Sequence, residues 1–274
     1  MTVSELITDK IINYLKEGKI PWQKPWVGLP PQNFVSKRAY TGINFFLLMM
    51  LNFKHPYFLT FNQVKKLGGK IKKGSKSAMI IYWGSFEKKS KDKEEVDIVR
   101  FLRYYRVFNV EQCIGLEIPE LYKHNKDPKY EEVLDLYKDK PVIKEGNTAF
   151  YNPKEDRVSV PSLNGFKTAS SYYGVLFHEL IHSTGFSTRL HRFTAIDKHI
   201  FGSTVYSKEE LIAELGSAFL CARYGIDNRL VKNSAGYIQS WLKVLENDPK
   251  MIISASSQAQ KAVNYMLGEK DDKK

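Results

Sequence analysis

The sequence predicts an α+β protein in two parts, a mixed α/β N-terminal half and a mainly helical C-terminal half. Three observations carry that expectation. The first is where the charge lies. The 274 residues carry 42 Lys+Arg against 30 Asp+Glu, a net charge of +12. Residues 1–109 hold 20 basic and 8 acidic residues, while residues 110–274 balance at 22 against 22, so the whole excess sits in the first part. The second is a strand–turn–strand pattern flanked by short helical stretches inside the basic part. The third is a series of helical periodicities after Pro161 in the neutral part. At 43% hydrophobic and 13% aromatic residues, the chain can build packed cores, which excludes wholesale disorder. Cys113 and Cys221 form no CxxC pair, which excludes a disulfide scaffold and a cysteine-rich zinc site. No apolar stretch reaches the length of a membrane span without a charge. Residues 1–19 carry Glu5, Asp9, Lys10 and Glu17 inside an apolar pattern and read as an amphipathic helix, not a signal peptide. A cytoplasmic location without membrane contact is the expectation.

The elements follow in order. Leu6, Ile7, Ile11, Ile12 and Leu15 recur at helical spacing, and Gly18 ends that helix. Pro21, Pro25, Pro30 and Pro31 then forbid regular helix through a Trp-rich loop. Residues 40–53 read as a short extended entry and a buried helix from about Asn44. Thr60 is placed to cap a helix through Phe61, Val64 and Leu67, which Gly68-Gly69 stops. Residues 78–83 and 98–108 are strands by their β-branched and apolar content, and the mixed-charge run 87–97 between them reads as a solvated hairpin tip. Residues 116–147 look like a connecting region with a short helix near 130–137. Phe150-Tyr151 and Val158, Val160 suggest an antiparallel hairpin. Helices are expected over 170–184, 208–224, 235–247 and 248–267. The domains expected are 1–115 and 148–274, joined by 116–147.

The strongest chemical signal is His178-Glu179-Leu-Ile-His182. On a helix, positions i and i+4 share a face, so both imidazoles can reach one metal ion, and Glu179 can act as general base toward a metal-bound water. Apolar flanks (Val175, Leu176, Phe177) and a stop at Ser183-Thr184-Gly185 place the motif on a buried helix. The position where a metzincin has its third histidine is Thr188, so the chain is not a metzincin. His191 and His199 lie in stretches without helical register. Ser207 and Glu210 form an S-x-x-E capping box that would start a helix, on which Glu210 and Glu214 share one face. Glu210 is the favoured third ligand with Glu214 behind a histidine, the reverse assignment being the alternative. Glu209 is expected to point elsewhere on that helix. One divalent ion, Zn2+ by preference, is the cofactor expected.

The basic half has a different chemistry. From 18 to 86 there is no acidic residue, against 11 Lys/Arg and 13 aromatics. Lysines neutralise phosphates, and exposed rings give unpaired bases a stacking partner, so a single-stranded nucleic acid is the expected ligand, with RNA or an acidic lipid satisfying the charge as well as DNA. Trp22, Trp26 and Tyr40 are interleaved with Lys24, Lys37 and Arg38 in the proline-rich stretch. Lys65, Lys66, Lys70, Lys72, Lys73 and Lys76 cluster around Gly68, Gly69 and Gly74. Phe45, Phe46, Phe53, Phe58 and Phe61 are expected in the core.

Together the two halves resemble a known family. Pro21-Trp22-Gln-Lys-Pro25-Trp26, Pro31-Gln-Asn33, Tyr40-Thr-Gly42-Ile43-Asn44, Thr60-Phe61-Asn-Gln63, Gly68-Gly69 with Lys72-Lys73-Gly74, Tyr82-Trp83 and Val107-Phe108-Asn109 resemble the N-terminal domain of ArdC-type antirestriction proteins. His178-Glu-Leu-Ile-His182-Ser-Thr-Gly185 and Glu209-Glu210-Leu-Ile-Ala-Glu214 are similar to their zincin-like metallopeptidase domain. The resemblance implies an N-terminal domain that binds single-stranded DNA, with Asn44 joining the DNA-binding set through its motif. It implies a C-terminal domain holding a metal through the HExxH helix and a downstream Glu. It also implies carriage on mobile elements and protection of incoming DNA from host restriction, notably during conjugation. A host restriction protein, or another DNA-bound protein, is the substrate that such a peptidase would meet.

Overall fold

The computed structural model describes residues 1–23, 29–51, 53–89, 96–120, 130–193, 204–226 and 235–270. The chain divides into two compact units, residues 1–6 with 30–122, and residues 7–29 with 123–274.

In the first unit, helix α2 (Ile43–Met49) packs on a four-stranded sheet built from β1 (Gln32–Asn33), β2 (Tyr57–Thr60), β4 (Ala78–Lys89) and β5 (Val96–Asn109), in the order β1-β2-β5-β4. Alternation along β2 sends neighbouring side chains to opposite faces. Phe58 joins Leu48, Ala78 and Val107 in one core cluster, and Leu59 joins Val64, Val110 and Cys113 in the other. Thr60 caps α3 (Phe61–Lys66) as expected. Its hydroxyl accepts from the Gln63 amide at 3.2 Å while Gln63 Oε1 accepts from the Thr60 amide at 2.8 Å. A two-stranded sheet of β3 (Lys70–Ile71) and β6 (Cys113–Ile114), too short to leave a sequence pattern, ties the end of α3 to the end of β5. β5 pairs with β2 only at Asn109, Phe108 and Val107. From Arg106 toward the tip, β4 and β5 pair only with each other among the described residues. The expected tip lies partly at 90–95, outside the described residues.

The second unit is mainly helical. A three-stranded sheet in the order β7-β9-β8 comprises β7 (Val142–Glu145), β8 (Phe150–Asn152) and β9 (Arg157–Val160). The β8–β9 hairpin is the one expected, and β7 adds to it in parallel. Helix α5 (Ala169–Ser183) packs on β8 and β9, and α6 (Thr204–Tyr224) packs on α5 and on α8 (Met251–Leu267), with α7 (Ala235–Asn247) alongside. A short α4 (Glu131–Leu136) stands where the connecting region was expected to hold a helix, with Tyr137 after it donating to or accepting from Ser183 Oγ at 3.1 Å.

The N-terminal boundary differs from the expected 1–115. Residues 7–29 group with the second unit, because α1 (Val3–Lys16) buries Ile7, Ile11, Ile12 and Leu15 there. Thr8 Oγ1 donates to the Pro249 carbonyl at 2.6 Å, and Lys16 pairs with Glu246 at 2.9 Å. A helix with a complete apolar stripe packs wherever a matching surface exists, and sequence order does not decide which.

Candidate metal centre and basic surface

The metal motif lies on the inner half of α5. Thr168 caps that helix, its hydroxyl accepting from the Ser171 amide at 3.1 Å, and the apolar run Leu176, Phe177, Leu180, Ile181 is buried. The opposing helix approaches closely because position 216 is glycine. A Cβ there would stand 2.8 Å from the Ile181 side chain. That approach brings Glu209, Glu210 and Glu214 of α6 against His178 and His182.

Three ligand atoms converge. His178 Nε2 lies 3.2 Å from His182 Nε2, and Glu210 oxygens lie 3.5 Å from each of them. Oε2 of Glu210 makes the approach to His178 and Oε1 the approach to His182, and a tetrahedral ion with ligands at about 2.0–2.1 Å has edges of about 3.3–3.4 Å, so these separations are of the size such a site needs. Among the described residues, His178, His182 and Glu210 are the group able to hold a metal ion. No imidazole–imidazole contact at 3.2 Å is comfortable with both Nε2 atoms protonated, which again suits a shared cation.

The remaining ring nitrogens face carboxylates. His178 Nδ1 is 3.5 Å from Glu214, and His182 Nδ1 is 3.3 Å from Glu209. Each carboxylate favours the Nδ1–H tautomer and turns the Nε2 lone pair to the centre. Glu209 is itself clamped by Arg192, whose Nη2 and Nε donate to it at 2.7 and 3.0 Å. The same guanidinium donates to the Ile181 carbonyl at 2.9 Å and to Thr184 Oγ1 at 2.7 Å, at the C-terminal end of α5.

Electrostatics follow this geometry. Burial opposes charging of both imidazoles. Even so, hydrogen bonding to Glu210 lifts His178 above the ordinary histidine value, and the charge of Glu210 with contacts from Glu209 lifts His182 well above it. Burial would raise Glu210, but the two imidazoles hold its carboxyl far below the usual range. Burial would likewise raise Glu209, and the Arg192 charge and His182 keep it lowered. The carboxylates around the two imidazoles therefore favour positive charge at the centre, as a cation site requires.

Several expectations need correcting. Glu209 does not point elsewhere. Helix α6 is buried on all sides around it, so a carboxylate at 209 has to find buried partners, and these are His182 and Arg192. Ser207 is no cap, since α6 begins at Thr204. Its hydroxyl bonds to Ser240, which leaves Glu210 to the metal site. Glu214 stands behind His178, as the favoured assignment had it, and lies outside the converging group. Glu179 is 8% exposed, with its charge felt by His178. His191 is exposed and outside the group, and His199 lies outside the described residues. Arg192 left no sequence signal, because it comes from the loop after α5.

The DNA-binding candidates divide. Lys37, Arg38, Lys65, Lys66, Lys70, Lys72, Lys73 and Lys76 are exposed. Lys37 lies 4.4 Å over the Phe34 ring, and Lys72 donates to the Glu111 carbonyl at 2.7 Å. Trp22 is 1% exposed and packs edge-on to Trp241 at 5.3 Å, so it offers no face to a base. Asn44 is structural. Its amide accepts from the Ile81 N–H at 2.7 Å and donates to the Ile81 carbonyl at 2.8 Å, replacing a strand partner. Tyr40 is half-buried against the Phe58 cluster. Phe61, expected in the core, is exposed. Lys24 and Trp26 lie outside the described residues.

The fold and the paired-histidine site define a zincin-like unit able to hold a metal ion, joined to a basic α/β unit. Comparison with known proteins agrees. Residues 129–258 match a family model described as a zincin-like metallopeptidase, and residues 1–108 match the N-terminal domain of anti-restriction factor ArdC. The metal-free crystal structure of antirestriction ArdC protein from the R388 plasmid superposes with a TM-score of 0.83 at 31% identity, covering 99% of this chain and 100% of that one. The Mn(II)-bound structure of the same protein gives 0.82, covering 100% of both chains. The chain belongs to the ArdC antirestriction family. DNA primase TraC of Escherichia coli is 33% identical over 96% of this chain, which spans only 27% of that protein's length. The uncharacterized protein y4eC of Sinorhizobium fredii is 29% identical, with 98% of this chain and 93% of that protein aligned. Among the described residues no helix is long and apolar enough to cross a membrane.

Proposed function

We propose that the protein binds single-stranded DNA through its basic unit and protects DNA entering with a mobile element from host restriction, while its second unit is a zinc metallopeptidase. The observation that carries this reading is the pairing, in one chain of the ArdC family, of an acid-free basic aromatic stretch with a converging His178, His182 and Glu210 site. The match to TraC primases supports a setting in which DNA is handled as a strand during transfer.

His178 Nε2, His182 Nε2 and a Glu210 oxygen hold the ion, and Glu214 and Glu209 fix the two imidazoles. Bound zinc would supply a Lewis acid that makes a neighbouring water easy to deprotonate. Glu179 is the base that receives that proton and later returns it to a leaving amine. Exposed lysines 65–76 hold phosphates. The substrate is a protein met on the DNA, such as a restriction enzyme.

Plasmid transfer into restriction-proficient and restriction-deficient recipients tests the reading. Wild type protects, and Glu179→Gln loses protection while retaining metal and DNA binding. If Glu179→Gln protects as well as wild type, the peptidase is dispensable and the protein is a DNA shield with a structural metal. If protection is absent in wild type but DNA-stimulated cleavage of a DNA-bound protein appears on a gel, the protein is a DNA-dependent protease instead.

A further inference from the structure

The sequence places aromatic residues throughout the acid-free stretch 18–86, yet Trp22 is buried and Tyr40 is packed. A stacking surface has to be sought elsewhere. Among the described residues of that unit, the exposed Trp and Tyr rings lie on the β4–β5 ribbon, at Tyr82, Trp83, Tyr104 and Tyr105. Past Val107 this ribbon is two-stranded among the described residues, with Ile81 buried at its base and the rings beyond it half open to water.

The register separates the two faces. Opposite residues of an antiparallel pair share a face. Ile80↔Tyr105, Tyr82↔Arg103 and Gly84↔Phe101 lie on one of them. That face is packed against itself. Tyr82 and Tyr105 meet edge-on at 6.1 Å, Arg103 covers Phe101 at 4.6 Å, and the Phe101 ring lies over Gly84, where a Cβ would strike it. Met79↔Arg106, Ile81↔Tyr104, Trp83↔Leu102 and Ser85↔Arg100 lie on the other. There Trp83 is 49% and Tyr104 44% exposed, and Arg100 and Arg106 flank them on β5. Six residue steps along the strand, roughly 20 Å, separate the two arginines. Neither arginine makes an ion pair among the described residues, and residues 98–110 contain no acid.

We infer that this second face, Trp83 and Tyr104 between Arg100 and Arg106, is the platform on which a single DNA strand stacks its bases. The inference rests on the DNA-binding reading above and names its surface. Rings half open to water beside guanidiniums that make no ion pair among the described residues fit a polyanion whose bases have free π-faces. A duplex hides those faces, although a two-stranded ribbon could enter its major groove. The basic turn at Lys70–Lys76 supplies phosphate contacts but no ring, so it can hold a strand without stacking it.

Anisotropy of a fluorescein-labelled oligothymidylate with the full chain tests this. Trp83→Ala and Tyr104→Ala each weaken binding by about 5- to 150-fold, the span expected for losing one stacked base. Trp83→Phe keeps most of the affinity, and Tyr82→Ala changes it little. Replacing Arg100 and Arg106 together by Gln lowers the slope of log K against log salt by about 1.4, close to two single-strand phosphate contacts. Circular dichroism confirms that each variant is folded, and if an Ala variant is not, the arginine pair decides, an unchanged salt slope overturning the inference. Folded Trp83→Ala and Tyr104→Ala proteins with wild-type affinity would overturn the inference while leaving DNA binding to the lysine turn. A duplex, or an oligouridylate, bound as tightly as the DNA strand would overturn it as well. If wild type binds no single strand, the inference and the DNA-binding reading fall together.

Discussion

Glu209→Gln is the substitution whose consequence follows most closely from the geometry. The Glu209 carboxylate uses both oxygens. Oε1 accepts from Arg192 Nη2 at 2.7 Å and faces His182 Nδ1 at 3.3 Å, while Oε2 accepts from Arg192 Nε at 3.0 Å. Glutamine has the same shape but a single acceptor, so one of its amide edges must turn an NH2 toward a donor. If the oxygen stays with Arg192 and His182 together, the amide nitrogen opposes Arg192 Nε. If it turns, His182 loses its acceptor and its preferred tautomer. Partners of this kind are typically worth 10- to 100-fold in metal affinity, about 1.4–2.7 kcal/mol. Arg192 is also 8% exposed at its side chain, so a weakened partner costs stability of the metal-free protein too. Competition titration with a chromophoric chelator reads the affinity, and a thermal melt of the metal-free protein reads the stability. The expected result is a 10- to 100-fold weaker ion and a lower melting temperature for Glu209→Gln. An affinity equal to wild type would refute the claim that Glu209 orients His182.

Gly216→Ala pushes a methyl into Ile181 across the α5–α6 interface and is expected to cost about 1–3 kcal/mol, read from denaturant unfolding, and to loosen metal binding. Tyr137 is pushed up to about 12 by burial, so the folded state keeps a proton that the unfolded chain releases near pH 10. Stability from this group is whole below pH 10 and is lost as the pH rises toward 12, by up to roughly 2–3 kcal/mol, a loss that Tyr137→Phe removes from a pH series of urea melts. The imidazoles of the metal-free site are raised, so protons compete with the ion from a pH above the ordinary histidine value. Metal affinity measured by titration should therefore fall with decreasing pH earlier than for a histidine peptide.

Helical periodicity carried much of this site into the sequence. His178 and His182, one turn apart on an apolar helix, and Glu210 and Glu214, one turn apart on another, are local facts of spacing. What spacing does not carry is which helices meet and how closely. Glu209 became an orienting group because α6 is buried on all sides, and Arg192 because the chain after Gly185 folds back on the end of α5. The same limit explains α1, whose stripe was legible while its partner surface was not, and β7, whose parallel pairing with β9 is non-local. Exposure of aromatic rings is likewise a tertiary property. Trp22 and Trp83 look alike in a basic stretch, yet one packs on Trp241 and the other stands on a ribbon.

Metal stoichiometry of the purified chain and two single variants tests the central assignment most directly. Equilibrium dialysis against zinc or manganese, read by atomic emission, should find one ion per chain in wild type. Glu214→Ala should keep that ion with reduced affinity, and Glu210→Ala should lose it, because Glu210 stands 3.5 Å from both Nε2 atoms whereas Glu214 faces His178 Nδ1. A Glu210→Ala protein that retains the ion while Glu214→Ala loses it would contradict the account.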